Sequence, residues 1–187
     1  YYMKTIRTII ATALFVLFYI PAHAQNDVPT YYVCNISRSE INALTTARDK
    51  YGIPLGVMSS VAFNESGCNN SRVGKYGELC MFQIFPFNPD KKFGFTDRPT
   101  ADNLKIIDVC ADTAAKILRE NHDRYCKEFT FNYIFDFGDL NAQWFCALAV
   151  YNSGTSVVYT KQISQSGAKY ASSILKTRSN LVIHLYG

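Results

Sequence analysis

Apolar residues recur at helical spacing along most of the chain, and the polar breaks between them mark the predicted elements. Ser37-x-x-Glu40 has the form of a capping box, and Ile41, Leu44, Ala47 and Tyr51 follow at steps of three and four before Gly52. This predicts a first helix over 38–50. Pro54 suits the first turn of a second helix, in which Leu55, Met58, Ala62 and Glu65 share one face and Gly67 suits the end. Glu65 therefore lies on an apolar face in a last helical turn. Over 67–103 Gly, Asn, Pro and Asp are frequent and the periodicity is lost, except in Met81-Phe82-Gln83-Ile84-Phe85. A loop-rich insert with a short strand pair fits this stretch.

Periodicity returns with Leu104, Ile107, Ala111, Ala114, Leu118 and Tyr125, which predict one long helix opening after Thr100 or Asp102. Another is predicted from Asp139 to Tyr151, with Trp144, Leu148 and Tyr151 on one face and Gly154 just beyond, and a last helical segment over Lys169–Lys176. No internal repeat or low-complexity tract appears. The expected fold class is a single, mainly α domain with a loop-rich or short β insert.

The first 24 residues read differently. Lys4 and Arg7 precede an uncharged apolar run from Ile9 to Ile20, and Ala22 and Ala24 supply the small residues of an A-x-A cleavage signal. A bilayer-spanning helix needs roughly 20 apolar residues, more than this run holds. The expectation is a signal peptide over 1–24, cut after Ala24, and a periplasmic or secreted domain over 25–187. Tyr1 and Tyr2 stand before Met3 and add nothing to such a signal, so Met3 as the start and the tyrosines as an upstream extension both fit. Removing 1–24 takes away two basic residues and no acids, so 19 − 2 = 17 basic residues face 15 acids and the formal charge falls from +4 to +2. That balance gives no reason to expect a nucleic-acid partner, and Lys91-Lys92 reads as a solvated surface pair.

All six cysteines, at 34, 68, 80, 110, 126 and 146, lie in the exported part. An even count in an oxidising compartment favours disulfides, and no C-x-x-C pair points to zinc or redox chemistry. Proximity along the chain favours Cys68 with Cys80 and Cys110 with Cys126, leaving Cys34 with Cys146. Outside the signal only His122 and His184 remain, neither in a ligand-spaced cluster, and no G-x-S-x-G turn is present. No metal or cofactor is expected, which leaves carboxylate chemistry.

Glu65 has apolar neighbours on its face, a helix C-terminus beside it and no basic residue within four positions, three features that raise a carboxyl pKa. A protonated glutamic acid is what general acid catalysis requires, whereas an exposed Glu at a fraying helix end is the bland reading. Gln83 is an amide in an apolar neighbourhood. It either braces the loop through the backbone or reaches into a groove. Tyr151-Asn152-Ser153-Gly154 taken alone is an ordinary helix stop.

Taken together and in order, Glu65-Ser66, Met81-Phe82-Gln83-Ile84 and Ala149-Val150-Tyr151-Asn152-Ser153-Gly154 resemble the catalytic domain of the lytic transglycosylases, lysozyme-like enzymes that cleave bacterial peptidoglycan. The resemblance covers roughly 51–176, including the Asn103-Leu104 helix start and the Lys169-Tyr170 segment. It implies a disulfide-stabilised, lysozyme-like α+β domain, with Glu65 as the single catalytic acid and Ser66, Gln83, Tyr151 and Asn152 lining the substrate groove. Cys68 stands where the family often has an aromatic, Cys80 where it has the motif glycine, and Phe82 where it has a methionine. The two joint departures imply a Cys68–Cys80 bridge across the loop. The resemblance also implies peptidoglycan strands as partner and a non-hydrolytic product; an envelope assembly or secretion machine is a separate candidate partner. A muramidase on the same fold, with Asp90, Asp97, Asp136 or Asp139 as second carboxylate, and a non-catalytic wall-binding module are the alternatives.

Overall fold

The computed structural model describes residues 31–88, 97–128, 142–154 and 163–186. The predicted signal peptide, Asp90, Asp136, Asp139 and the start of the helix predicted from Asp139 lie outside these residues. Among the described residues no helix is long and apolar enough to cross a membrane.

Strand β1 (Tyr32–Ser37) leads into helix α1 (Arg38–Tyr51) through the predicted capping box: Ser37 Oγ accepts from Glu40 N–H, and the Glu40 carboxylate accepts from Ser37 N–H at 2.7 Å. Helix α2 (Val57–Ser66) starts later than Pro54, because Gly56 takes a left-handed φ of 78° that a helix cannot continue through. Leu55 is consequently exposed rather than part of the buried face. The helix closes where Gly67 N–H returns to Phe63 O and Cys68 N–H to Ala62 O.

The long helix predicted after Thr100 is divided. A single turn, α3 (Ala101–Leu104), is capped by the Thr100 side chain and ends at an extended Ile106. Helix α4 (Ile107–Glu120) carries the apolar stripe Cys110, Ala111, Ala114, Ala115 and Leu118 and packs on α1. Beyond Glu120 the backbone widens into one π turn, Asn121–Tyr125. The described part of the next helix, α5 (Ala142–Ser153), is buried continuously from Trp144 to Val150, as expected of a helix enclosed on all sides. Helix α6 (Gln165–Asn180), longer at both ends than the predicted 169–176, packs against α5 and α2. Gly167 permits the close approach to α5: a Cβ there would lie 3.1 Å from Ala149 Cβ and 3.1 Å from its carbonyl oxygen.

Two strands that helical periodicity did not predict join the ends of the domain. β2 (Leu181–Tyr186) pairs in parallel with β1, from Tyr32 opposite Leu181 to Ser37 opposite Tyr186. Parallel pairing requires a crossover, and here the whole helical body supplies it. In the insert, the predicted short strand pair is reduced to the bridges Val73–Leu79 and Leu79–Ile84.

The cysteine pairing differs from the one proximity favoured. The bridges are Cys34–Cys68, Cys80–Cys110 and Cys126–Cys146. Cys68 and Cys80 sit at opposite mouths of the insert, so the first is fastened to β1 and the second to α4, while Cys126 after the π turn reaches the core helix α5. With sequence separations of 34, 30 and 20 residues, each restricts the unfolded chain by about 3–4 kcal/mol in the chain-entropy account. The result is the mainly helical, disulfide-stabilised domain expected.

Candidate active site

Helix α2 ends under firm restraint. Asn64 Nδ2 donates to Ser60 O at 2.8 Å and to Thr177 Oγ1 at 2.9 Å, and Ser173 Oγ donates to Asn64 Oδ1 at 2.6 Å. These bonds lock the last turn of α2 to α6, and so fix the residue beside Asn64, Glu65, against Tyr170 on α6. The Tyr170 hydroxyl donates to Glu65 Oε1 at 2.6 Å.

Burial pushes the Glu65 carboxyl above the usual carboxylate value, the Tyr170 bond opposes this, and the negative charge of Glu78 adds to the upward shift. Burial also raises the hydroxyl pKa of Tyr170 and of Tyr151, and the charge of Glu65 raises both further. Both phenols therefore remain neutral hydrogen-bond donors. Tyr151 lies at the C-terminal end of α5 and donates to Phe82 O at 2.8 Å, which ties the insert to the core helix. Arg98, half-buried, is close enough for its charge to act on Tyr151.

Gln83 adopts a left-handed φ of 49°, its Nε2 donating to Cys80 O at 2.9 Å and to Arg72 O at 3.4 Å. Of its two sequence readings, bracing the loop through the backbone is thus realised. Its Oε1 faces Gly74, where a Cβ would come within 2.6 Å of it and would overlap Glu78 Oε2. Glu78 Oε2 also accepts from Tyr76 N–H at 2.9 Å. Gly74 is thus the gap into which the amide and the second carboxylate both fit.

Ser66 is turned inward: its Oγ is 2.9 Å from Met81 O and 3.1 Å from Ala62 O, and accepts from Asn69 N–H at 3.0 Å. Asn152 is exposed beside Tyr151, with Ser153 Oγ at 3.5 Å from its Oδ1. The charge of Glu65 reaches Tyr151, Gln83 shares the space at Gly74 with Glu78, whose charge reaches Glu65, Ser66 braces the turn after α2 against Met81, and Asn152 follows Tyr151 at the exposed end of α5. Asp97, a candidate second carboxylate, is exposed and pairs with Lys116 at 3.9 Å.

Three residues of the site were not predicted for it. Tyr170 falls in the Lys169-Tyr170 segment, which reads as helix and as part of the family resemblance but carries no role in the site on sequence alone. Glu78 and Arg98 lie in the aperiodic insert, where spacing carries no facing information. Among the described residues no group of three or more His, Cys, Asp or Glu could hold a metal ion. The arrangement is a half-buried carboxyl whose pKa is raised by burial, a neutral donor on one of its oxygens, a second carboxylate within electrostatic reach and an amide beside that carboxylate.

Residues 42–174 match the family model described as the transglycosylase SLT domain. No curated protein matches the chain.

Proposed function

Since the chain belongs to the transglycosylase SLT domain family, a lysozyme-like family acting on cell-wall peptidoglycan, we propose that it is an exported lytic transglycosylase with Glu65 as its acid and base. The observation that carries the reading is the state of Glu65: desolvated, facing another negative charge, and held by Tyr170 at 2.6 Å. A carboxyl in that environment gives up its proton at a higher pH than an ordinary glutamic acid and is held in a fixed place, as a general acid requires.

The Glu65 proton passes to the oxygen of the β-1,4 bond between N-acetylmuramic acid and N-acetylglucosamine, and the bond from that oxygen to C1 breaks. The carbonyl oxygen of the sugar's own 2-acetamido group stabilises the electron-poor C1, as in substrate-assisted glycosidases, so no carboxylate nucleophile is needed. Glu65, now a carboxylate, takes the proton from the C6 hydroxyl, and O6 closes on C1 to give the 1,6-anhydro ring. Glu65 is thereby reprotonated and no water is consumed. Tyr170 holds the carboxyl in one orientation through both steps. Tyr151 holds the insert against α5 and Gln83 braces the insert within itself so that its groove keeps its shape, with Ser66 bracing the turn and Asn152 at the rim.

Glu78 favours one alternative. Retaining and inverting glycosidases set two carboxyls on either side of the bond, and Glu78 is the carboxylate whose charge reaches Glu65. With Glu78 aligning a water on C1, the same site is a hydrolytic muramidase.

Digestion of purified peptidoglycan with residues 25–187, Glu65→Gln in parallel, separates the two by mass spectrometry of the released fragments. Fragments one water lighter than hydrolytic ones, absent with the variant, are expected. Reducing-end fragments would make the protein a muramidase, and unchanged cleavage by the variant would remove Glu65 from the mechanism.

A further inference from the structure

The parallel pair β1–β2 ends in an edge that no described residue covers. The sheet has two strands, β1 carries the buried residues, and all of β2 beyond Leu181 is exposed. Residues opposite one another in a sheet point to the same face. Cys34 and Ile36 of β1 are wholly buried, yet their partners on that face, Ile183 and Leu185, are 38% and 50% exposed. The core-facing side of the sheet therefore runs out past the core. On the opposite face Val33 and Val182 stand side by side, both exposed. Both strands fall outside the span 42–174, so this surface does not belong to the frame that the family model describes.

Strands left open in this way are normally defended by charged side chains, proline or a bulge, which prevent pairing with another chain. Neither strand holds a Lys, Arg, Asp, Glu or Pro: β1 reads Tyr-Val-Cys-Asn-Ile-Ser and β2 Leu-Val-Ile-His-Leu-Tyr. Their register runs without a break from Tyr32–Leu181 to Ser37–Tyr186, so no bulge turns the edge away. A strand that fits against β2 must be extended, free of acids and bases such as Lys or Glu, and apolar on both faces. β2 has all of these properties itself, and a strand lying antiparallel to its own copy about a two-fold axis is self-complementary.

We propose that β2 pairs antiparallel with β2 of a second copy of this chain, joining two domains through a four-stranded sheet β1–β2–β2–β1. The inference does not depend on the catalytic reading. A two-fold axis perpendicular to the sheet keeps the faces, so odd-numbered residues oppose odd and even oppose even. In the registers centred on Ile183 or on His184, Ile183 meets Ile183 or Leu185 of the copy on the core-facing side. Val182 meets His184 or Tyr186 on the other. The pairing gives partners to the backbone groups on the open side of β2 and continues the apolar face that the core leaves bare. The exposed parts of Val182, Ile183, Leu185 and Tyr186 amount to on the order of 300 Å² per copy, against about 800 Å² in a standard interface. With the backbone edge added, this is a small interface and a reversible dimer.

The test is sedimentation equilibrium of oxidised residues 25–187, which hold every described element, from about 1 μM to about 1 mM. A monomer–dimer equilibrium with a Kd on the order of 10 μM is expected. Ile183→Lys and Ile183→Glu each bring like charges within reach across the axis, directly opposite in one register and on the diagonal in the other. Each alone should raise the Kd by at least about tenfold, and mixing the two should restore the dimer as a Lys–Glu pair, which misfolded chains cannot do. Val182→Lys, on the other face, should weaken the dimer by a similar factor and is the second variant should those at 183 unfold. A wild-type monomer at every concentration would overturn the proposal. Fast amide exchange in β2 would then leave the edge to a different protein, and protected amides would mean that this chain covers it. A dimer unchanged in the folded variants, or a mixture that stays monomeric, would overturn it too.

Discussion

Tyr170 and Glu65 meet across 105 residues of chain through a single 2.6 Å hydrogen bond, from the phenol to Oε1. The phenol is half-buried and, its pKa raised, neutral, so it serves the carboxyl as a donor whether or not that carboxyl is ionised. The acid is held by a group whose own charge state does not change near neutral pH.

Glu65→Gln should abolish cleavage and stabilise the fold at neutral pH. The folded carboxyl has a pKa above its ordinary 4.5, so the native state binds the proton more tightly than the unfolded chain. Below pH about 4 both states are protonated and the group contributes no difference. As pH rises through 4.5 the unfolded chain ionises first, and wild-type stability falls until the folded group has ionised too. The amide escapes that penalty while still accepting from Tyr170. Thermal unfolding from pH 3 to 8 should show equal midpoints in acid and a higher midpoint for the variant at neutral pH; a variant less stable at every pH would contradict this.

Tyr170→Phe and Glu78→Gln should move the alkaline limb of the pH–rate profile in opposite directions. Loss of the Tyr170 donor removes an interaction that favours the ionised acid, so the limb moves up, with about 1 kcal/mol of stability lost. Loss of the Glu78 charge removes a repulsion, so the limb moves down. Cleavage rates across pH 4–9 read both shifts, and two shifts of the same sign would separate the limb from Glu65.

Tyr151→Phe leaves the Phe82 carbonyl without its 2.8 Å donor. The stability cost should be about 1 kcal/mol, measured by urea unfolding. The loss in kcat/KM should exceed tenfold, since that bond holds the insert beside Glu65 and a misplaced groove weakens the transition state more than the fold. Equal losses in free energy would make the contact structural alone.

Gly74→Ala should cost at most about 1 kcal/mol, because the atoms a Cβ would displace, Glu78 Oε2 and Gln83 Oε1, are side-chain ends whose movement costs only the bonds to Tyr76 N–H, Cys80 O and Arg72 O. Combining it with Glu78→Ala should recover part of the loss, and a double-mutant cycle of unfolding energies with no coupling would show that the two groups do not compete for that space.

The helical frame was legible in the sequence because its signals are local. The capping box of Ser37 and Glu40 and the terminal position of Glu65 in its helix depend on residues a few places apart. What escaped depends on partners far along the chain. β1 and β2 are short apolar runs joined across the whole domain, and Tyr170 reveals its role only once α6 is laid on α2. Cys68 and Cys80 were paired on nearness in sequence, but the insert holds them apart and gives each a nearer neighbour in space. Glu78 was hidden among turn residues, where nothing in the spacing shows that a carboxylate faces Gly74 and acts on Glu65.

The three bridges join the cysteines in the order in which the chain presents them: first to second, third to fourth, fifth to sixth. An oxidant that couples each newly emerged thiol to the one before it arrives at the native set directly, because no later cysteine has to displace an earlier bond. Thiol–disulfide exchange, which is slow without a catalyst, is then no obligatory step of maturation. The domain can ripen wherever thiols are oxidised, without a reshuffling isomerase.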